Sequence, residues 1–559
     1  MEALLIGRPH PRGSRWSRRL WIAVPMALAL LFLVYTLLLW GSRIEPPPRS
    51  ISAHRLPVEV RGERSYVGSN WLSRERGLWE YHLAGEPFEM GYAHTRLGQR
   101  LLEEADDFMF AEFHRYVPAG WARFLIRLGV RWRYRHLADQ IPLDRQQEIA
   151  GEAAGYLDRH ADFLPTYHRM VFYHALHDIT QGVEHSPLLG CSAFAASGAA
   201  TSNGHLIVGR NFDFEGPEPL DRDKAILFFK PAGRIPFASV AWAGMTGVVT
   251  GINAEGIYVS INAARSDDQG GEGIPVELLV REILERAHSI DEAIALVKSH
   301  SVMVPDFYLV ADGKTGESAV IERTPARIEV RRSRDTILLT NHALAPAFAK
   351  DTENDRLRRY LTSGARYQRL SELVRQHRGT IDPRRALEIL RDKRAEAGEV
   401  LGLGNRNALD ALIATHSVVV DATALQLWVS EGPHCLGKYI GFDLRSEFSN
   451  DGTFERYHPP SLPEDPIGNS VELRRHRQAV AELEAARGFL ARGVADRALE
   501  QAQKAVALDD LMPEAHRLLG DLWRSTDRER ARREYQRYLE LHPPYLHDIE
   551  EVKGVLSSL

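Results

Sequence analysis

The chain has 559 residues, 44% hydrophobic and 26% charged, the balance of an ordinary globular protein long enough for several domains. A net charge of −5 leaves no basic footprint for nucleic acid, and two cysteines, Cys191 and Cys435, cannot staple a disulfide framework. Stability must come from packed cores.

Residues 1–19 form a basic tail carrying Arg8, Arg12, Arg15, Arg18 and Arg19. Leu20 to Trp40 then run without a charge, enough at about 1.5 Å per residue to cross a hydrocarbon core of about 30 Å. The arginines before it predict a single-pass anchor with the N-terminus in the cytoplasm and the rest outside. A cleaved signal peptide is the alternative, but the apolar run is longer than such segments usually carry, and no small-x-small site follows it. Residues 41–63 read as a linker stiffened by Pro46-Pro47-Pro48.

Residues 64–190 read as a helical segment, with aromatics and leucines at helical spacing over Glu89–Tyr116, Trp121–His136 and Leu143–Arg159. His168, His174, His177 and His185 lack the spacing of a metal-ligand pair, so no metal and no cofactor is expected. From Cys191 the period changes to strands: His205–Gly209, Ala225–Phe229, Phe237–Ala243, Gly247–Thr250 and Ile257–Ile261. Two helices follow, Pro275–His288 and Ile290–Ser301, then strands at Met303–Ala311, Ser318–Glu322, Ile328–Arg332 and Thr336–Leu339. Helices over about 354–395 and a hairpin from Ser417–Asp421 to Leu425–Ser430 complete a core spanning 191–456. The order predicts an α+β fold with two stacked antiparallel sheets between helical layers. Gly313-Lys314-Thr315-Gly316 is a hairpin turn rather than a phosphate loop, because Tyr308 stands where that motif needs glycine. Residues 457–470 are a Pro-rich linker. Over 471–559, Gly520, Ala531, Tyr535, Tyr538 and Pro543 fall near tetratricopeptide spacing, and Ala498, Ala502 and Ala505 begin an earlier copy. Two copies fall short of a free-standing array, so a helical appendage is expected, packed on something else or holding a protein partner.

The stretch from Gly190 to Phe214 carries the chemistry. Cys191 precedes small residues, a Ser202-Asn203-Gly204 turn, an apolar strand and Arg210-Asn211-Phe212-Asp213, which suits a cysteine nucleophile at the tip of a hairpin. By itself a lone cysteine is as readily a small buried hydrophobe. Four more motifs accompany it in order: Gly209–Asp213, Gly251–Gly256, Thr340-Asn341-His342 and Asp355–Arg359. On these residues the chain resembles the N-terminal-nucleophile (Ntn) hydrolases. The branch is that of the isopenicillin-N acyltransferases, choloylglycine hydrolases, penicillin V acylases and acid-ceramidase-like enzymes.

The resemblance implies a four-layer αββα sandwich cut autocatalytically between Gly190 and Cys191. The thiol would attack the Gly190 carbonyl, with glycine tolerating the strained geometry, and Cys191 would emerge with a free α-amine as its own base. The resemblance gives Arg210 the role of favouring thiolate, and Asp213 that of orienting the α-ammonium. It makes Asn341 an oxyanion donor and Arg356 the anchor of the network. The second oxyanion donor falls on Asn262 or on the backbone N–H of Ala263. Ser192, where threonine is common, keeps a hydroxyl; Asn354-Asp355 departs from a serine before the arginine. The substrate class implied is a linear acyl amide, lipid-like if the anchor holds the enzyme at a membrane, with hydrolysis and acyl transfer both open. The alternative is a non-catalytic membrane-anchored scaffold that works through its C-terminal helices.

Overall fold

The computed structural model describes residues 15–48, 56–181, 190–214, 218–268, 270–449 and 456–559. Four short strands precede the cysteine: β1 (Glu59–Arg61), β2 (Arg64–Val67), β3 (Asn70–Ser73) and β4 (Trp79–Gly85). After it come β5 (Ser192–Gly198), β6 (Gly204–Asp213), β7 (Ala225–Pro231), β8 (Phe237–Ala241), β9 (Thr250–Asn253) and β10 (Ile257–Ala263). Next are β11 (Asp306–Asp312), β12 (Glu317–Arg323), β13 (Ile328–Ser333) and β14 (Thr336–Leu339). The last three are β15 (Ala414–Asp421), β16 (Gln426–Ser430) and β17 (Tyr439–Asp443).

They form an eleven-stranded sheet, β1-β2-β3-β4-β7-β8-β9-β10-β11-β12-β13, and a six-stranded sheet, β14-β5-β6-β15-β16-β17. Three apolar cores define the layers. One lies between the sheets, where Ala193, Leu206 and Val208 meet Ile226, Phe228 and Leu309. A second packs the larger sheet on helices Pro87–Leu97, Leu143–Gly155 and Val276–Arg286. The third packs the smaller sheet on helices Ser363–Gln376 and Pro383–Leu390. Helix, sheet, sheet, helix is therefore the order of the layers, a mixed α+β architecture. The β5–β6 hairpin is tight because Gly209 faces Phe194, whose ring occupies the space a side chain would need.

The stretch expected to be mostly helical over 64–190 begins with strands, and β4 joins the larger sheet parallel to β7, from Trp79↔Ala225 to Gly85↔Pro231. Pairing across so long a chain separation leaves no local period to read. The helix expected over Glu89–Tyr116 is broken into Pro87–Leu97 and Gln99–Tyr116 at Gly98, where a Cβ would collide with the Tyr81 hydroxyl. His185 lies outside the described residues.

The helix Arg15–Gly41 contains one stretch, Ala23–Gly41, long and apolar enough to cross a membrane, with a mean hydropathy of 2.3. At its end Ser42 and Ile44 are already buried, and Arg131 donates to the Leu39 carbonyl at 3.2 Å. The Pro-rich segment expected as a linker at 457–470 is packed down: Leu462 pairs with Tyr439, and Arg391 donates to the Pro463 carbonyl at 2.8 Å. Five helices follow, Val471–Ala491, Ala495–Leu508, Pro513–Trp523, Arg528–Glu540 and Leu546–Ser558. Gly520 lets the Tyr535 ring lie against the Pro513–Trp523 helix.

Candidate functional site

The β5–β6 turn at Ser202-Asn203-Gly204 sends the chain back beside itself, with Ser192 opposite Asn211 and Ala193 opposite Arg210. Cys191 and Asp213 consequently meet at the open end of the hairpin, away from the turn, and not at its tip. The Gly190 N–H donates to the Asp213 carbonyl at 3.1 Å. On the other side, β14 pairs with β5 up to Leu339↔Ala193, so the next two residues carry Asn341 to the same end. β10 supplies the facing wall from the larger sheet.

Cys191 is 1% exposed, and its sulfur lies 4.0 Å from Arg210 Nη2. Arg210 spans the gap between the sheets: it donates to the carbonyls of Val249, at 2.8 Å, and Ile261, and to the Thr250 hydroxyl. Its guanidinium also stacks 4.9 Å from the Phe212 ring centre. Burial is the strongest influence on the thiol and raises its pKa; Arg210 and Arg366 pull the other way. Asp213, also buried, is pushed up to about 7 by desolvation against the opposing pull of Arg366, and its Oδ1 has no hydrogen-bond partner. A carboxyl poised near neutrality beside a protonated thiol can take or return that proton.

Arg366, on the helix Ser363–Gln376, is the residue that ties the site together. It donates to the Cys191 carbonyl at 2.6 Å, the Ser192 hydroxyl at 2.8 Å and Asn341 Oδ1 at 2.7 Å. The anchoring role given to Arg356 is corrected here: Arg356 is exposed on the preceding helix and its nearest acidic partner is Glu353, at 3.7 Å. Both arginines lie in helices, but Arg366 falls on the apolar stripe with Leu370, Leu373 and Val374, whereas Arg356 falls on a charged face. A cation within a core-facing stripe is the sequence signal that could have found it.

Asn341 is held through both ends of its amide, its Nδ2 donating to the Ala263 carbonyl at 2.8 Å while Oδ1 accepts from Arg366. Asn262 donates to the Thr340 carbonyl at 2.9 Å, tying β10 to the chain that carries Asn341 rather than reaching toward the thiol. Thr340 and His342 bracket it on Ser363, and burial keeps His342 neutral, its pKa near about 4. A Cβ on Gly190 would meet Asp213 and Arg366 at 3.7 Å, an ordinary contact.

The cavity beside these groups is lined by Gly190, Asp213, Asn341 and Arg366, by Arg265 and Arg406, and by Leu357, Leu361, Ile413 and Tyr545. Gly190 lies on its wall and Cys191 just beneath. Two of the histidines weighed as metal ligands pair with carboxylates, His174 with Glu152 at 2.7 Å and His177 with Asp306 at 3.0 Å, whereas His168 is buried among the described residues with neither ring nitrogen hydrogen-bonded. Among the described residues one trio of carboxylates, Asp144, Glu282 and Glu285, is close enough to share an ion, and Arg145, Arg281 and Arg286 already neutralise it.

Residues 199–408 match the family described as Acyl-coenzyme A:6-aminopenicillanic acid acyl-transferase. The matched span begins after Cys191 and takes in Arg210, Asp213, Asn262, Asn341 and Arg366. An uncharacterized protein of Archaeoglobus fulgidus is 24% identical over 353 residues, covering 56% of this chain and 58% of its own length. The N-acylethanolamine-hydrolyzing acid amidase of Caenorhabditis elegans is 28% identical over 144 residues, 24% of this chain and 40% of that protein. The chain thus spans about half the length of the curated relatives it matches. The solved structure of a C. elegans N-acylethanolamine-hydrolyzing acid amidase ortholog aligns with a TM-score of 0.31 and 22% identity, covering 42% of this chain and 93% of that one.

Proposed function

We propose that this protein is a cysteine amidase or acyltransferase of the Ntn type, acting on linear acyl amides through a thioester on Cys191. The observation that carries the reading is the convergence of a buried thiol, Arg210, Asp213, Asn341 and Arg366 at one end of a hairpin beside a cavity. The similarity of residues 199–408 to an acyl-transferase family and the similarity to an acid amidase support the same chemistry.

In the uncut chain the Cys191 thiol gives its proton to Asp213 and attacks the Gly190 carbonyl. The C–N bond breaks, the Cys191 nitrogen takes up the proton, and Gly190 is left as a thioester that water hydrolyses. Cys191 now begins a chain, and its α-amine, with a pKa of about 7.7–8.0, becomes the base for its own thiol. Asp213 accepts a hydrogen bond from that ammonium, a reading supported by its unpartnered Oδ1. In turnover the thiolate attacks the substrate carbonyl and Asn341 turns an N–H to the oxyanion. The leaving amine departs with the proton from the α-ammonium, and water or a second amine takes the acyl group. Arg366 keeps Asn341 and the Cys191 carbonyl in register throughout. Residues 1–190 stay bound after the cut through the β4–β7 ladder and the core it shares with the larger sheet. The helix over residues 20–40 anchors the protein in a membrane, with the catalytic body outside the cytoplasm.

The test is rapid acid quench of the enzyme mixed with an acyl amide, followed by mass analysis. The expected result is a 191–559 fragment carrying one acyl group, lost on treatment with hydroxylamine and absent from Cys191→Ala. Turnover of such an amide by Cys191→Ala would overturn the reading.

A further inference from the structure

The C-terminal helices meet the catalytic body at the cavity itself. The loop between helices Arg528–Glu540 and Leu546–Ser558 reads Leu541-His-Pro-Pro-Tyr545, and Tyr545 forms part of the wall around Gly190, Asp213, Asn341 and Arg366. The loop is held from the catalytic side. Asn405 Nδ2 donates to the carbonyls of Leu541, at 3.4 Å, and His542, at 3.1 Å, and Asn407 Nδ2 reaches the His542 carbonyl at 3.2 Å. The Leu546 N–H donates to the Tyr360 carbonyl at 3.1 Å, and His542 pairs with Glu399 at 3.3 Å. Pro543 and Pro544 are buried, which fixes the backbone just before Tyr545. Five contacts from three separate core segments on one short loop mark a built joint.

Tyr545 lines the cavity, and its chain neighbours Pro544 and Leu546 line a second space. The cavity at Gly190 holds about 70 Å³. Beyond lies a groove of about 550 Å³, lined by Leu361, Ala365, Pro543, Pro544, Leu546 and Ile549. Leu361 lines both. Beside Arg265, Arg366 and Arg406, the cavity wall includes Leu357, Leu361, Ala411 and Ile413, an apolar share that suits a hydrocarbon chain.

Resting on the amidase reading above, we infer that Tyr545 is a specificity-determining residue, delivered by the C-terminal helices, that ends the acyl pocket and excludes longer acyl chains from the groove behind it. The tail is then a wall of the substrate site and not an independent module. The substrate favoured is an amide whose acyl chain stops at the Tyr545 ring.

The test is kcat/KM of the full-length protein on aminocoumarin amides graded from acetyl to palmitoyl. Tyr545→Ala is expected to move the optimum to longer chains and to raise kcat/KM on the longest by about tenfold or more, chiefly through KM. Tyr545→Phe keeps the bulk and is expected to keep the wild-type profile. The pair Asn405→Ala and Asn407→Ala, which frees the loop without touching Tyr545, is expected to broaden the profile in the same direction. It serves as the second arm if Tyr545→Ala folds poorly. A wild type that is cut and active, with Tyr545→Ala and the asparagine pair both showing its chain-length profile, overturns this inference alone. A wild type neither cut nor active on any member overturns the amidase reading, and this inference with it.

Discussion

The two cysteines sit against the same strand and are served by different residues of it. Cys191 lies beside Arg210, which reaches across to the larger sheet, and next to a cavity. Cys435 is equally buried, but its thiol donates to Asn211 Oδ1 at 3.6 Å, and that asparagine is spent on the carbonyls of Leu390 and Leu409 in the helical layer. Burial raises both thiols. Asp213 adds to the rise at both thiols, but at Cys191 two guanidinium groups oppose it, whereas Cys435 also faces Asp410, which adds to it, against Lys393 and a Ser417 hydrogen bond. Burial does not distinguish the two thiols; the cations beside Cys191 and the cavity next to it do.

Exchanging roles at the two cysteines gives the largest expected effect. Cys191→Ala should lose cutting and turnover, roughly 10⁴-fold or more in kcat, where Cys435→Ser, whose hydroxyl can still donate to Asn211, should retain both. Loss of both functions in Cys435→Ser, with the fold intact by circular dichroism, would mean the wrong cysteine has been assigned. The paired arginines sharpen the contrast. Arg366→Ala leaves the buried Cys191 carbonyl, Ser192 hydroxyl and Asn341 Oδ1 without their donor and should cost about 3 kcal/mol or more by urea unfolding, along with activity. Arg356→Ala, on an exposed face, should change stability by no more than about 0.5 kcal/mol. Equal effects at the two positions would contradict the placement of the network.

Asn341→Ala is expected to be cut at Gly190–Cys191 yet to turn over about 10²–10³-fold more slowly, because a single cutting event has hours available and turnover does not. Full activity on an amide substrate would remove Asn341 from the oxyanion site. The smallest effect is a pH dependence. In the uncut Cys191→Ala chain, Asp213 titrates near about 7 when folded and near 3.8 when unfolded, so the folded state holds the extra proton between them. Its contribution to stability is complete below about pH 4 and is lost as pH rises through about 7. Adding Asp213→Asn should flatten that part of the melting-temperature profile, and an unchanged profile would show that Asp213 is not the titrating group.

Much of the site is local and therefore legible. The hairpin turn and the Arg210–Asp213 cluster lie within one short stretch, and the structure brings Cys191, Arg210 and Asp213 together. Asn341 joins through the β14–β5 register, which no local period reveals, so the family motif alone pointed to it. Arg356 and Arg366 lie ten residues apart, and motif order favoured the wrong one; the apolar stripe of the second helix carries the better signal. Strands β1–β4 escaped because they are short, and because β4, which ties them to the larger sheet, finds its partner β7 beyond the cysteine. The docking of Tyr545 on the cavity depends on contacts between segments more than a hundred residues apart, for which one sequence offers no pattern.

The central claim is that Cys191 becomes a chain terminus. Intact mass and N-terminal sequencing of wild-type protein purified from its own cells test it most directly. Two associated pieces are expected, 1–190 and 191–559, the second beginning Cys-Ser-Ala-Phe, with Cys191→Ala remaining whole at 63.0 kDa. Wild type that stays whole while hydrolysing an acyl amide, or that stays whole and binds a partner through its C-terminal helices without any turnover, would contradict it.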